Sequence, residues 1–185
     1  MILRRDILKG ALATTAAAIA APAIVRAEDT RVLKFVPQAD LAVLDPIFTA
    51  YVTRHHALMV FDTLYGVDEN LKPVPQMLEG AVQENGGLLW RFTLRSGLVF
   101  HDGEPVRAKD CVASIRRWAS ADAVAGTMFQ RVEEVVAEDG RKCTIRLKKP
   151  FPLLPNVFAK LPSPVLVIMP ERIANAPATT RITEM

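Results

Sequence analysis

Two cysteines in 185 residues, Cys111 and Cys143, are too few for a disulfide scaffold or a four-thiolate zinc site. There is no Cys-x-x-Cys pair, no glycine-rich phosphate loop and no Gly-x-Ser-x-Gly turn. Thiol-redox, P-loop nucleotide and serine-hydrolase chemistry therefore have no foothold. Histidine occurs three times, as His55, His56 and His101. His55 and His56 are adjacent, hence on different faces of a helix, and four residues on they meet Met59 and Val60, which are not metal ligands of a familiar pair. No internal repeat or low-complexity tract interrupts the chain beyond its first residues. Long apolar runs are also missing: Gly10–Val25 is apolar only weakly, with eight alanines, two threonines and Pro22. That run is shorter than the roughly 20 residues a helix needs to cross a bilayer.

What the first 27 residues do contain is an export signal. Leu3–Lys9 carries the Arg4-Arg5 pair of a twin-arginine motif, without the usual Ser or Thr before the arginines and with Ile7 where Phe is common. Val25-Arg26-Ala27 places small residues at −3 and −1, which predicts cleavage after Ala27, and Arg26 suits the twin-arginine route. An ordinary secretory signal is the alternative, and either route takes the protein out of the cytoplasm. With no Cys near the cleavage site, a free periplasmic protein is expected rather than a lipid-anchored one. Arg4, Arg5, Lys9 and Arg26 leave with Asp6, so the 23 basic and 20 acidic residues fall to 19 of each. The mature chain is formally neutral, which removes the electrostatic case for nucleic-acid binding.

Arg31–Val36 is a nearly continuous apolar strand, closed by a turn at Leu44-Asp45-Pro46. Ala50–Thr63 reads as a helix, Leu64–Val67 as a strand, and Lys72–Pro75 as a rigid extended connector. Alternating Leu88, Trp90, Phe92 and Leu94 predict a strand over Leu88–Arg95, paired with Gly80–Glu84 through Asn85-Gly86-Gly87. Asp102-Gly103 marks a turn that Pro105 confirms. Ala108, Cys111, Val112, Ile115, Trp118 and Ala119 then form one stripe of an amphipathic helix, with Lys109, Asp110, Arg116 and Arg117 off it. Arg107 precedes that helix and has no acceptor for a capping bond, while Asp110 suits the positive end of the helix dipole. Asp122–Phe129 reads as a loop. A second hairpin, Arg131–Glu138 with Lys142–Lys148, turns at Asp139-Gly140. One short helix follows within Pro150–Pro164, then an apolar strand Val165–Met169 and a helix beginning at Glu171–Ala174. Cys111 on a helix stripe and Cys143 on a strand face favour two separate buried thiols, although an even pair in an oxidising compartment also permits a bond. His101 and Asp102 lack a second carboxylate or nucleophile nearby, so His101 is expected as a structural hydrogen bonder and not as a catalyst.

The stretch Trp90–Asp110, with Trp90, Phe92, Leu94, Arg95, Phe100, His101, Asp102, Gly103, Pro105, Ala108 and Asp110, resembles the family 5 extracellular solute-binding proteins of peptide- and nickel-type ABC importers. Leu44-Asp-Pro46, Phe61-Asp-Thr-Leu-Tyr65 and Pro150-Phe-Pro152 carry the same resemblance, while Arg107 departs from the Thr the family usually places there. The resemblance implies an α/β fold of the periplasmic-binding-protein type II kind. Residues 28–48 and 166–185 would form an incomplete large lobe and 49–165 a smaller lobe built on antiparallel hairpins. The lobe that closes over the ligand would lie beyond residue 185, making this chain an N-terminal fragment. It further implies a monomer that binds a peptide-like solute at Ala50, Tyr51 and Val52, needs no cofactor or metal, catalyses nothing, and delivers the solute to an inner-membrane permease. Asp122–Phe129 is a weaker candidate for a ligand contact. A nickel- or haem-binding relative, a twin-arginine-exported enzyme with a cofactor, and a small module that transports nothing are the competing readings.

Overall fold

A computed structural model describes residues 34–48, 51–162 and 164–183. The export signal lies outside the described residues, as does Ala50. The chain divides into two units, Met1–Val36 and Pro37–Met185. In the first, residues 34–36 have no regular structure, so the strand expected over Arg31–Val36 is absent from its described end. An apolar run becomes a strand only where a neighbour supplies its backbone bonds, and neither described sheet includes it.

The second unit opens with α1 (Tyr51–Val60), followed by β1 (Tyr65–Val67) and β2 (Pro73–Pro75). The expected connector at Lys72–Pro75 is in fact a strand, antiparallel to β1 in the register Tyr65↔Pro75 and Val67↔Pro73. A two-stranded ribbon tolerates these prolines because their missing N–H groups lie on its open side. The Asp68 carboxylate closes the turn by accepting from the Asn70 and Lys72 N–H groups at 2.8 Å each.

Next come β3 (Leu78–Glu84) and β4 (Leu89–Leu94), then α2 (Ala108–Ala121), α3 (Ala123–Phe129), β5 (Val132–Ala137) and β6 (Lys142–Leu147). The four strands form one antiparallel sheet in the order β3-β4-β6-β5. Both hairpins expected from the alternating pattern are present. Asn85 and Gly86 at the first turn hold positive φ of 52° and 63°, which glycine adopts freely and asparagine tolerates.

Phe92, Leu94, Cys143 and Ile145 from the sheet are fully buried against Cys111, Ile115 and Trp118 of α2. All six residues of the expected helix stripe are buried. The other face of the sheet is polar: Arg91 lies between Glu84 and Glu138, and Arg146 faces Glu134 at 3.8 Å.

Asp122–Phe129 is not a loop. Asp122 caps α3 by accepting from the Ala125 N–H at 2.8 Å, and Lys160 neutralises the same carboxylate at 2.7 Å. Two short helices, α4 (Leu154–Phe158) and α5 (Glu171–Ala174), complete the set. Val165–Met169, expected as a strand, pairs with no other strand among the described residues, although all five residues are buried. Its backbone is satisfied elsewhere: Ile168 N–H donates to the Asp62 carbonyl at 3.1 Å, and Met169 N–H to Ser114 Oγ at 2.9 Å.

Candidate functional site

The start of α2 sets out the local chemistry. Arg107 makes no side-chain cap, as its chemistry requires, but its backbone N–H donates to Asp110 Oδ2 at 2.7 Å. Half of a capping box therefore survives. Asp110 Oδ1 meanwhile accepts from the Glu171 N–H at 2.7 Å, tying the first turn of α5 to that of α2. Asp110 and Arg117, placed off the stripe by their polarity, are both buried. They lie with Ala113 and Ser114 on a second face of α2, at i, i+3, i+4 and i+7, and that face packs on residues 164–182.

The centre of this face is an ion pair without solvent access. Arg117 Nη1 and Nη2 donate to Asp45 Oδ1 and Oδ2 at 2.9 and 2.7 Å, with the two side chains 1% and 0% exposed. Arg117 Nε donates to the Ala176 carbonyl and Nη2 to the Thr180 carbonyl, each at 3.1 Å. Asp45 also accepts from the Ile47 and Ile182 N–H groups at 3.3 and 3.4 Å. Such a pair is tolerable in the interior only because its remaining donors and acceptors are filled.

Asp45 begins the turn that leads to the expected ligand contacts. Thr53 Oγ1 donates to the Val43 carbonyl at 2.8 Å and closes that segment from its other end. Tyr51, at the start of α1, is 51% exposed; its ring lies 4.0 Å from that of His55 and beneath the Arg54 guanidinium at 5.2 Å. Val52, by contrast, is buried and points away from solvent. His56 packs edge-on against Phe61.

The Phe100–Gly103 turn is built separately. Gly103 has φ +85°, Asp102 Oδ1 accepts from the Glu104 N–H at 3.0 Å, and Oδ2 pairs with Arg172 at 2.5 Å. That backbone bond, and then Arg172, hold the Asp102 carboxyl below its usual range. His101 is exposed and presents its ring edge-on to Phe61 at 6.4 Å, so it serves as a ring contact rather than as the expected hydrogen bonder. A cavity of about 750 Å³ opens here, lined by Phe61, His101, Asp102, Arg172, Arg181 and Ile182 among others. The motif residues Trp90, Phe92, Leu94, Ala108 and Asp110 are buried supports, and Arg95 donates to the Leu78 carbonyl at 3.1 Å.

Both thiols are free and buried. Burial, then the Glu138 charge, pushes Cys143 up to about 12; burial, then Cys143 and Asp110, pushes Cys111 well above its usual value. A thiol whose pKa is raised on folding stabilises fully below the unfolded value of about 8.5 and loses that contribution as pH climbs towards the folded value. The folded protein is therefore expected to resist iodoacetamide at pH 8 and to gain two labels per chain after unfolding in guanidinium. Rapid labelling of the native protein, or none after unfolding, would contradict this arrangement. Among the described residues no group of three or more His, Cys, Asp or Glu side chains is placed to hold a metal ion.

A family model described as "Bacterial extracellular solute-binding proteins, family 5 Middle" matches residues 72–181. The chain belongs to this family. The family 5 chain is 38% identical over 186 residues to the probable peptide ABC transporter periplasmic-binding protein y4tO of Sinorhizobium fredii, covering 98% of this chain and 34% of that protein. Its fold is similar to that of Haemophilus influenzae OppA in complex with RPPGFSPFR, with a TM-score of 0.61 and 21% identity over 71% of this chain and 29% of the other. Campylobacter jejuni NikZ in complex with Ni(L-His) gives a TM-score of 0.59 and 20% identity, over 76% of this chain and 27% of that one. The family 5 chain thus spans about a third of the length of its curated relative y4tO. The mixed α/β fold of the periplasmic-binding-protein type II kind, expected from the Trp90–Asp110 wording, is the fold observed.

Proposed function

We propose that this protein is the periplasmic solute-binding component of an ABC importer, that it holds a peptide-like solute, and that it passes the solute to an inner-membrane permease. The observation that carries this reading is the identity to a peptide-transporter binding protein along nearly all of the chain, together with the family match. In this reading residues 28–48 and 166–185 belong to a large lobe, residues 49–165 form the small lobe, and a further lobe closes over the solute by a hinge. Ala50, Tyr51 and Val52 lie at the cleft edge. Tyr51 suits that place because its exposed ring offers an apolar face and its hydroxyl a hydrogen bond. An extended peptide held through its main chain leaves side chains free to vary. No covalent bond is made or broken. The protein acts as a monomer and reaches the periplasm by the Arg4-Arg5 signal, with cleavage after Ala27.

The test is to purify the full chain, expose it to an equimolar mixture of tri- to pentapeptides, wash it, and identify what remains by mass spectrometry. Retained peptides and a raised Tm are expected. Tyr51→Ala is expected to weaken the best retained peptide about tenfold, roughly 1.4 kcal/mol, with Tm unchanged because the ring is half exposed. Retention of no peptide, with retention of nickel–histidine when that complex is offered separately, would overturn the solute class. Replacing Arg4-Arg5 with Lys-Lys is expected to leave the precursor in the cytoplasm, and normal processing of that variant would assign the general secretory route instead.

A further inference from the structure

We infer that Arg117 is a positioning residue for solute binding, acting through Asp45 on the turn that precedes Tyr51 and Val52 of α1; this rests on the solute-contact reading above. Two stretches besides α2 meet at its guanidinium. The fork takes Asp45 at 2.9 and 2.7 Å, while Nε and Nη2 take the Ala176 and Thr180 carbonyls at 3.1 Å. Asp45 in turn holds the Ile47 N–H at 3.3 Å and the Ile182 N–H at 3.4 Å, and its own carbonyl accepts from the Phe48 N–H at 3.2 Å. The Phe48 ring then lies under Arg181 at 5.6 Å. Thr53 Oγ1, two residues past the exposed Tyr51 in α1, donates to the Val43 carbonyl at 2.8 Å, which ties the start of α1 to the stretch that holds Asp45.

The energetics favour a geometric role over a stabilising one. A buried ion pair costs several kcal/mol of desolvation per ion, and apolar residues of similar size often replace one without loss. What the pair gives that apolar packing does not is direction. A planar fork accepts a carboxylate in one orientation, and an ammonium at the same place supplies only a point charge. Arg117 also joins the two lobes of the proposed division, since Asp45, Ala176, Thr180 and Ile182 fall in the large lobe and Arg117 in the small one. The turn is therefore registered against both.

Arg117→Lys in the full chain separates positioning from bulk stability, because it keeps the charge and loses the fork. Hydrogen exchange is followed by mass spectrometry in segments 44–56 and 176–183, with β4 and β6 as internal references. Binding is read with the peptide mixture used above. The inference expects at least tenfold faster exchange in 44–56 and 176–183, unchanged exchange in β4 and β6, and at least tenfold weaker peptide binding. Equal acceleration everywhere would reduce Arg117 to a general support and overturn the inference, as would local loosening with full peptide affinity. Should Arg117→Lys fail to fold, the double variant Asp45→Leu/Arg117→Met, which leaves no buried charge without a partner, carries the same comparison. If the unaltered protein retains no peptide, the solute reading falls by itself, and unchanged exchange in 44–56 would still overturn the positioning of the turn.

Discussion

Asp45→Ala is expected to cost the protein about 3–5 kcal/mol of folding stability, because it strands a buried guanidinium without its counter-ion. Arg117 is 1% exposed, so water does not replace the lost carboxylate, and the two backbone carbonyls it keeps do not neutralise its charge. The Ile47 and Ile182 N–H groups lose their acceptor at the same time. Against a typical total of roughly 5–15 kcal/mol, such a loss leaves a large unfolded fraction at growth temperature. Urea melts of the full chain measure it. Glu84→Ala is the matched control: its pair with Arg91 is 40% exposed on both sides, and losing it is expected to cost about 0–1 kcal/mol. A small loss at Asp45, comparable to that control, would mean that water reaches the site.

Trp118→Ala is expected to cost a comparable amount, about 3–5 kcal/mol, by opening a cavity where α2 meets the sheet and α4. Trp118 is 2% exposed and packs edge-on against Phe158 at 6.0 Å, and Phe158 in turn meets Phe92 at 5.8 Å. The indole Nε1 also donates to the Pro164 carbonyl at 3.1 Å. Trp118→Phe separates the two contributions. Most of the ring volume remains, and the Pro164 carbonyl keeps Lys160 Nζ at 3.0 Å, so a loss of about 1–2 kcal/mol is expected. If Phe and Ala at this position proved equally costly in denaturant melts, the hydrogen bond and not the packing would dominate.

The two residues differ in how visible they were. Trp118 falls on the 3.6-residue apolar stripe that starts at Ala108, and every member of that stripe is buried. Arg117 and Asp110 sit beside it, and hydrophobic periodicity assigns such residues to solvent. The structure buries them because α2 has two packed faces, one on the sheet and one on residues 164–182. The second face sets Ala113 among Asp110, Ser114 and Arg117, whose polar groups are satisfied by one ion pair and by backbone bonds, so a pattern that counts apolar side chains passes over it. The spacing of Asp110, Ala113, Ser114 and Arg117 was the available signal. Asp122 was missed similarly: Ala123–Phe129 is short and mixed, and only the cap with its Lys160 partner identifies a helix.

Strands divide along the same line. Chain-adjacent pairs such as β3-β4 and β5-β6 were legible, because turn residues and alternation both lie within a few positions of each other. Val165–Met169 has the composition of a buried strand and is buried, yet its backbone answers to Asp62 and Ser114. Lys72–Pro75 went the other way, from connector to strand, because β1 lay within reach. Local composition states that a segment is apolar and extended; whether it becomes part of a sheet depends on which backbone groups arrive beside it.

By itself, the order of residues determined the export signal as an expectation, the two hairpins, the apolar face of α2 and, through the Trp90–Asp110 wording, the family. These are short-range properties, written in neighbouring residues and their periodicity. Only the tertiary structure decided that Asp45 and Arg117, far apart in the chain, form one buried pair, and that the turn leading to Tyr51 is held by it. A buried charge has no local signature, since its cost is met by a partner that folding alone brings into reach.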